Sequence, residues 1–266
     1  MAEPYRFKEG SIPLLVSIPH DGRHVPDEIA ARMTAAGRGI PDTDWHVERL
    51  YDFVAGLGAS VLAATHSRYV VDLNRDPAGE ALYPGADNTE IVPLTTFGRQ
   101  PIYRSGNAPD ASEIEARIAT YWRPHHARLA AEIDRLRARF GFVVVFDAHS
   151  IGSRVPRFFD GILTDLNFGT ASGASADPGL AARAFRVLEA ADGYSAVLDG
   201  RFTGGYITRQ YGVPGEDVHT LQLELSQRIY MNESPPFAFR PDLAAPLVSV
   251  LRRLIEEIIA WTRERR

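Results

Sequence analysis

The chain has 266 residues, 45% of them hydrophobic and 24% charged, which is an ordinary globular composition. Its net charge is −5 and it has no long basic tract, which argues against nucleic acid as a partner. It contains no cysteine, so disulfides, thiolate ligands and a cysteine nucleophile are excluded, and any metal site must be built from His, Asp or Glu.

The opening MAEPYRFKEG has no apolar run of the signal-peptide kind. No apolar stretch reaches the roughly 18 residues of a membrane-spanning helix. The expectation is therefore a cytoplasmic protein without a membrane span. Pro and Gly are scattered rather than gathered in a linker, and no period repeats, so a single domain over residues 1–266 is expected.

In chain order, LLVSI between Pro13 and Pro19 reads as a buried strand ending at His20. Residues 43–57 read as a helix, with Thr43 as N-cap and Val47, Leu50, Tyr51 and Val54 on one face. Ser60–Ala64 and Tyr69–Leu73 read as strands. Residues 76–110, rich in Pro and Gly, form a long irregular excursion of a length that in a compact domain is usually functional or poorly ordered. A helix over about 111–140, interrupted near Pro124 and ended by Gly141, precedes FVVVF (142–146), the clearest buried strand. A helix over 178–191, a strand TLQLEL (220–225) and a final helix over 241–264 complete the series. Leu243, Leu247, Val250, Leu251, Leu254 and Ile258 recur at helical spacing in that last helix and read as core. Apolar strands alternating with amphipathic stretches predict an α/β fold, a mixed and mostly parallel sheet flanked by helices.

Several of these strands end in residues that metal binding or acid–base chemistry requires, and open α/β sheets bind ligands beyond the carboxyl ends of their strands. His20 follows LLVSIP, His149 follows VVVFDA, and Glu224 lies in TLQLEL. Two imidazoles need a third donor, and Asp44 or His46 is the nearest candidate. About 200° apart on an ideal helix, they cannot both coordinate. Asp147, two residues before His149, suits the carboxylate that orients a metal-bound imidazole.

A carboxylate among Leu221, Leu223 and Leu225 would have its pKa raised by desolvation, as a general base needs; the alternative for Glu224 is the exposed face of an edge strand. Asn74 and Arg75 could grip a small carboxylate through paired hydrogen bonds, with Arg68 as a second positive group. The alternative is a turn held by Asn74. Arg201 and Arg209 bracket Gly204 and Gly205, where no phosphate-loop spacing occurs. No GxSxG elbow is present. His125 and His126, between Arg123 and Arg128, read as a solvated helix face, and His24, His66 and His219 as structural.

The strings PLLVSIPHDGRHVP, DTDWHVERLYDF, SRYVVDLNRDP, LYPG, YWRPHHARL, FDAHSIGSRVPRFFDG, DLNFGT, GRFTGGYITRQYG and LQLELSQRIYM run in order from about residue 13 to residue 231. Together they resemble the N-formylglutamate amidohydrolase family, and more distantly the zinc carboxypeptidases and aspartoacylases. The resemblance implies a metal-dependent hydrolase that releases formate and L-glutamate in histidine degradation, with a divalent metal, zinc first among candidates. It implies that His149 and His20 bind the metal, that Asn74 and Arg75 hold a substrate carboxylate, and that Glu224 is the general base. Arg68 and Arg209 are candidates for the second carboxylate. The zinc carboxypeptidase relatives carry HxxE at the first ligand, whereas His20 is followed by Asp21, Gly22 and Arg23. The remaining ligand must then come from elsewhere, and the resemblance implies the DTDWH segment, as Asp44 or His46. The competing readings are a deacylase for another N-acyl amino acid and a non-catalytic anion-binding protein. Oligomeric state is left open.

Overall fold

The computed structural model describes residues 3–82, 85 and 87–265. Seven strands form one sheet: β1 (Tyr5–Lys8), β2 (Leu14–Ile18), β3 (Ser60–Ala64), β4 (Val143–Ile151), β5 (Leu166–Gly169), β6 (Ala196–Leu198) and β7 (Val218–Ser226). Their spatial order is β1-β3-β2-β4-β7-β5-β6. The run β3-β2-β4-β7 is parallel, while β1 pairs with β3 and β5 with β7 antiparallel. The α-helices are α1 (Asp27–Ala30), α2 (Ala35–Arg38), α3 (Val47–Leu50), α4 (Ala111–Arg117), α5 (Arg123–Phe140), α6 (Pro178–Glu189), α7 (Tyr206–Tyr211) and α8 (Pro241–Glu264). Among the described residues no helix is long and apolar enough to cross a membrane.

Both faces of the sheet are covered, which is why its central strands read as near-continuous apolar runs. On one face Val16, Val144, Phe146, Leu221 and Leu223 pack with Leu180 and Leu188 of α6 and Leu247, Leu251 and Ile255 of α8. On the other, Leu15, Val143, Val145 and Val218 pack with Leu129, Ile133 and Leu136 of α5. Strands β2, β3, β4 and β7, and helices α6 and α8, fall where the apolar patterning predicts them. The patterning missed β1, β5 and β6, three- and four-residue strands at or near the sheet's edges, too short to show a period.

Two predicted elements are different. The helix expected over 43–57 is only the turn α3 followed by a 3₁₀ turn, Val54–Leu57. His46 is left-handed, with φ 67°, and a helix cannot run through that conformation. Thr43 is not the cap, because its hydroxyl donates to the Ile40 carbonyl at 2.8 Å. Capping comes instead from Asp21, which accepts from the N–H groups of His46 and Glu48 at 3.2 and 2.8 Å. The strand expected over 69–73 is a buried turn, since Arg68 Nη2 donates to Asp72 Oδ2 at 2.7 Å. The Val70 N–H also donates to the Ser67 carbonyl at 2.8 Å, a reverse turn that a strand does not contain.

The helix expected over 111–140 is continuous but passes through a π turn, Ile118–Trp122, where the Arg123 N–H reaches back to the Ile118 carbonyl. Pro124 follows and offers no N–H of its own. Gly141, left-handed at φ 85°, ends α5. Histidines 125 and 126 are not solvated: both are buried on the inner side of α5. Within the 76–110 excursion no helix or strand occurs among the described residues. Tyr83 and Pro84 of the LYPG string lie outside the described residues.

Candidate active site

The strand register builds the site. In the β4–β7 ladder Val143 pairs with Val218, Asp147 with Gln222 and His149 with Glu224. Alternate residues share a face, so the face that is apolar against α5 becomes polar toward the carboxyl ends of both strands. His20 arrives two residues beyond β2, the other neighbour of β4. Glu224 therefore sits in an interior strand of the sheet, not at its edge.

His20, Asp44 and His149 converge there, all buried, with one potential ligand atom of each within 4.8 Å of the others. Nδ1 of His149 lies 3.1 Å from Asp44 Oδ2, and Nδ1 of His20 lies 3.7 Å from the same oxygen. A tetrahedral ion with bonds of about 2 Å sets its ligands about 3.3 Å apart, so the spacing fits a small divalent metal. Each imidazole is held from behind: His20 Nε2 is 2.7 Å from Asp72 Oδ1, and His149 Nε2 is 2.8 Å from Asp147 Oδ2. Such carboxylate–histidine pairs fix the tautomer and ring orientation, and here Nδ1 of each ring faces Asp44. The Asp44 N–H also donates to the His20 carbonyl at 3.1 Å, tying the two residues together through the backbone.

Electrostatics keep the Asp44 and Asp72 carboxylates ionised. Burial would raise the Asp44 carboxyl, but the imidazoles of His20 and His149 hold it well below the usual carboxylate range. Asp72 is likewise desolvated and is held down by Arg68, then by His20. For His149 burial opposes the charge, and Asp147 and Asp44 outweigh it, raising its pKa well above the ordinary value. Glu224 behaves differently. Burial pushes its carboxyl up to about 8, with His149 opposing, and no hydrogen bond to that carboxylate forms among the described residues.

A cleft with about 460 Å³ of open space lies over this cluster. Glu224, Gln222, Asn74 and Arg75 line it on the polar side, and Phe97, Phe158 and Phe202 contribute an aromatic wall. The match to known sequences decides the family: a model of N-formylglutamate amidohydrolase covers residues 12–231. The chain belongs to that family.

Two N-formylglutamate deformylases are close relatives. The one from Pseudomonas aeruginosa is 51% identical, covering 100% of this chain and 99% of its own. The one from Pseudomonas putida is 48% identical, covering 97% of each. Among solved structures, N-formylglutamate amidohydrolase from Ralstonia eutropha JMP134 superposes with a TM-score of 0.83 at 27% identity, over 99% of each chain. Gene product Atu2144 of Agrobacterium tumefaciens has a TM-score of 0.75 at 16% identity over 97% and 96%, a likeness of fold.

The two DTDWH candidates stand differently in the structure. Asp44 joins the two histidines, while the His46 imidazole is turned away, its Nε2 2.7 Å from the Phe237 carbonyl. The left-handed backbone at His46 is what separates them. Arg68 lines the cleft, but its guanidinium donates to Asp72 through Nε and Nη2 and to Asp44 at 3.4 Å. Its hydrogen bonds thus go to carboxylates of the cluster and of its support. Asn74 and Arg75 do face the cleft. Asn74 Oδ1 accepts from the Ile207 N–H at 2.7 Å, and its Nδ2 lies 3.1 Å from His149 Nε2. Arg75 Nη2 donates to Thr89 Oγ1 at 2.9 Å. Arg209 does not line the cleft; on the exposed side of α7 it donates to the Gly204 and Leu82 carbonyls at 2.9 and 3.0 Å. Sequence reasoning missed Asp72 as the partner of His20, although it stands in the same DLNR string as Asn74. It also missed Gln222, whose Oε1 accepts from the Gly205 N–H at 2.7 Å. Two-residue alternation from Glu224 would have pointed to Gln222.

Proposed function

We propose that this chain hydrolyses the formyl amide of N-formyl-L-glutamate, releasing formate and L-glutamate. The observation that carries the proposal is the convergence of His20, Asp44 and His149 beside Glu224, a buried carboxylate with a raised pKa and a cleft in front of it. The names of the relatives at 51% and 48% identity, N-formylglutamate deformylase, support the substrate.

His20, Asp44 and His149 would hold a divalent metal, zinc being suited to two imidazoles and a carboxylate. When bound, such an ion supplies Lewis acidity, polarising a carbonyl and making water more acidic. Glu224 takes the proton of the attacking water and returns it to the leaving amine nitrogen, which balances the hydrolysis. Its high affinity for a proton suits the first half of that exchange. Asn74 and Arg75 hold a substrate carboxylate, so that binding energy remote from the amide orients it for attack. The aromatic residues limit water around the reacting groups.

Formate release from N-formyl-L-glutamate is the test, measured before chelation, after it, and after return of zinc. The expected result is release that is lost and then restored. Glu224→Gln should keep the metal and lose at least about a thousandfold in kcat, the scale expected when a general base is removed. Near-normal turnover in that variant would remove Glu224 from the chemistry. No release by fully metallated wild type would overturn the substrate.

A further inference from the structure

The cleft-facing pair Asn74–Arg75 sits on a segment without a ladder of its own. Its two flanking carbonyls, however, are both taken by side chains of one helix. His126 Nε2 lies 2.8 Å from the Leu73 carbonyl, and Trp122 Nε1 donates to the Arg75 carbonyl at 3.1 Å. The His126 tautomer follows from its other partner. Nδ1 is 2.9 Å from the Tyr211 hydroxyl, which can donate to it, leaving the proton on Nε2 for Leu73. The two rings are stacked, with centroids 3.7 Å apart and planes at 21°, so neither donor swings independently. The Tyr211 ring lies nearly parallel to that of His126, with centroids 5.8 Å apart and planes at 12°.

The π turn Ile118–Trp122 ends at Trp122, immediately before the helix that carries His126. π turns inside helices occur frequently at functional sites. Asn74 is also tied by its own N–H to Asp72 Oδ1 at 2.9 Å and by its side chain to α7 through Ile207. From these contacts we infer that Trp122 and His126 are positioning residues, a stacked two-donor clamp that sets the Asn74–Arg75 segment for a substrate carboxylate. The inference rests on the reading above that this segment binds a carboxylate.

Trp122→Phe keeps a ring for the stack and removes only the donor. The holoenzyme would be assayed with N-formyl-L-glutamate and with its two mono-amides, each lacking one carboxylate, in the wild-type and Arg75→Ala backgrounds. Arg75→Ala identifies which carboxylate the segment binds, by losing its preference for the diacid over one amide. Trp122→Phe is expected to lower kcat/KM for the diacid about tenfold, mostly through KM, as the loss of one positioning hydrogen bond would. It should leave that same amide within about twofold, and add little in the Arg75→Ala background. His126→Gln, which still has a donor, should be milder than His126→Phe. Equal losses on all three substrates, or losses that multiply fully with Arg75→Ala, would overturn the clamp. If Arg75→Ala itself discriminates among none of the substrates, the carboxylate reading of the segment fails, and the clamp fails with it.

Discussion

The Asp44 carboxylate faces Nδ1 of both histidines, whereas the His46 ring, two residues on, is bonded to the Phe237 carbonyl. Asp44→Asn should therefore abolish stoichiometric zinc by elemental analysis after dialysis, and His46→Asn should retain it. Asparagine also tolerates the left-handed backbone at position 46. The reverse pattern would make His46 the ligand. Asp72 acts one step further out. It bonds His20 from behind and accepts two hydrogen bonds from Arg68. In Asp72→Asn, zinc affinity measured by chelator competition should weaken ten- to a hundredfold, the usual cost of losing such a partner. Stability in urea should drop by about 3 kcal/mol, because Arg68 is left buried without its main counter-charge. Unchanged affinity would show that His20 orients itself.

Helix α7 and the glycines before it bring a second layer to the site. Gly205 has an extended backbone, φ −82° and ψ −167°, that any residue can adopt. Its role is space: a Cβ there would stand 2.1 Å from Asn74 Nδ2. Gly205→Ala is expected to fold, with Tm lowered by a few degrees, but to lose at least about tenfold in kcat/KM as Asn74 is pushed out of place. Full activity would mean that Asn74 does not need its present position. The long elements were legible because patterns of period two or 3.6 run through them. Residues 69–73 misled because a β-branched run buried on every side by a loop looks the same as a strand, and the Arg68–Asp72 pair that folds it gives no periodic signal. The 43–57 helix failed for a similar reason: its cap, Asp21, comes from a different part of the chain.

Buried imidazoles tie the stability of the whole molecule to pH. Burial pushes the pKa of His126 down to about 4, with the Leu73 carbonyl opposing, and burial holds His125 well below its ordinary value. A base whose pKa is depressed by folding stabilises fully above its unfolded value, about 6.5. That contribution is lost as pH falls toward the folded value, since only the unfolded chain then takes up the proton. For His126 the loss between pH 7.5 and pH 4.5 is about 2 to 3 kcal/mol. Asp21 and Asp42, raised by burial, work in the opposite direction, so the measurement has to be differential. The change in unfolding free energy between those pH values should be smaller in His126→Phe than in wild type by about that amount. Equal changes would place no proton linkage at His126.

The chain alone was enough for the fold class, because a sheet covered on both faces needs apolar strands and amphipathic helices, and both leave local periods. It also singled out His20, His149 and Glu224 as candidates, because each stands at or near the carboxyl end of such a strand. Which residue completes the cluster, what orients His20, and whether Arg68 and Arg209 face a substrate all depend on groups distant in the chain. Asp44 and His149 meet across 105 positions, and His20 and Asp72 across 52. Such contacts are created by the closure of the sheet and its loops, and no local pattern records them.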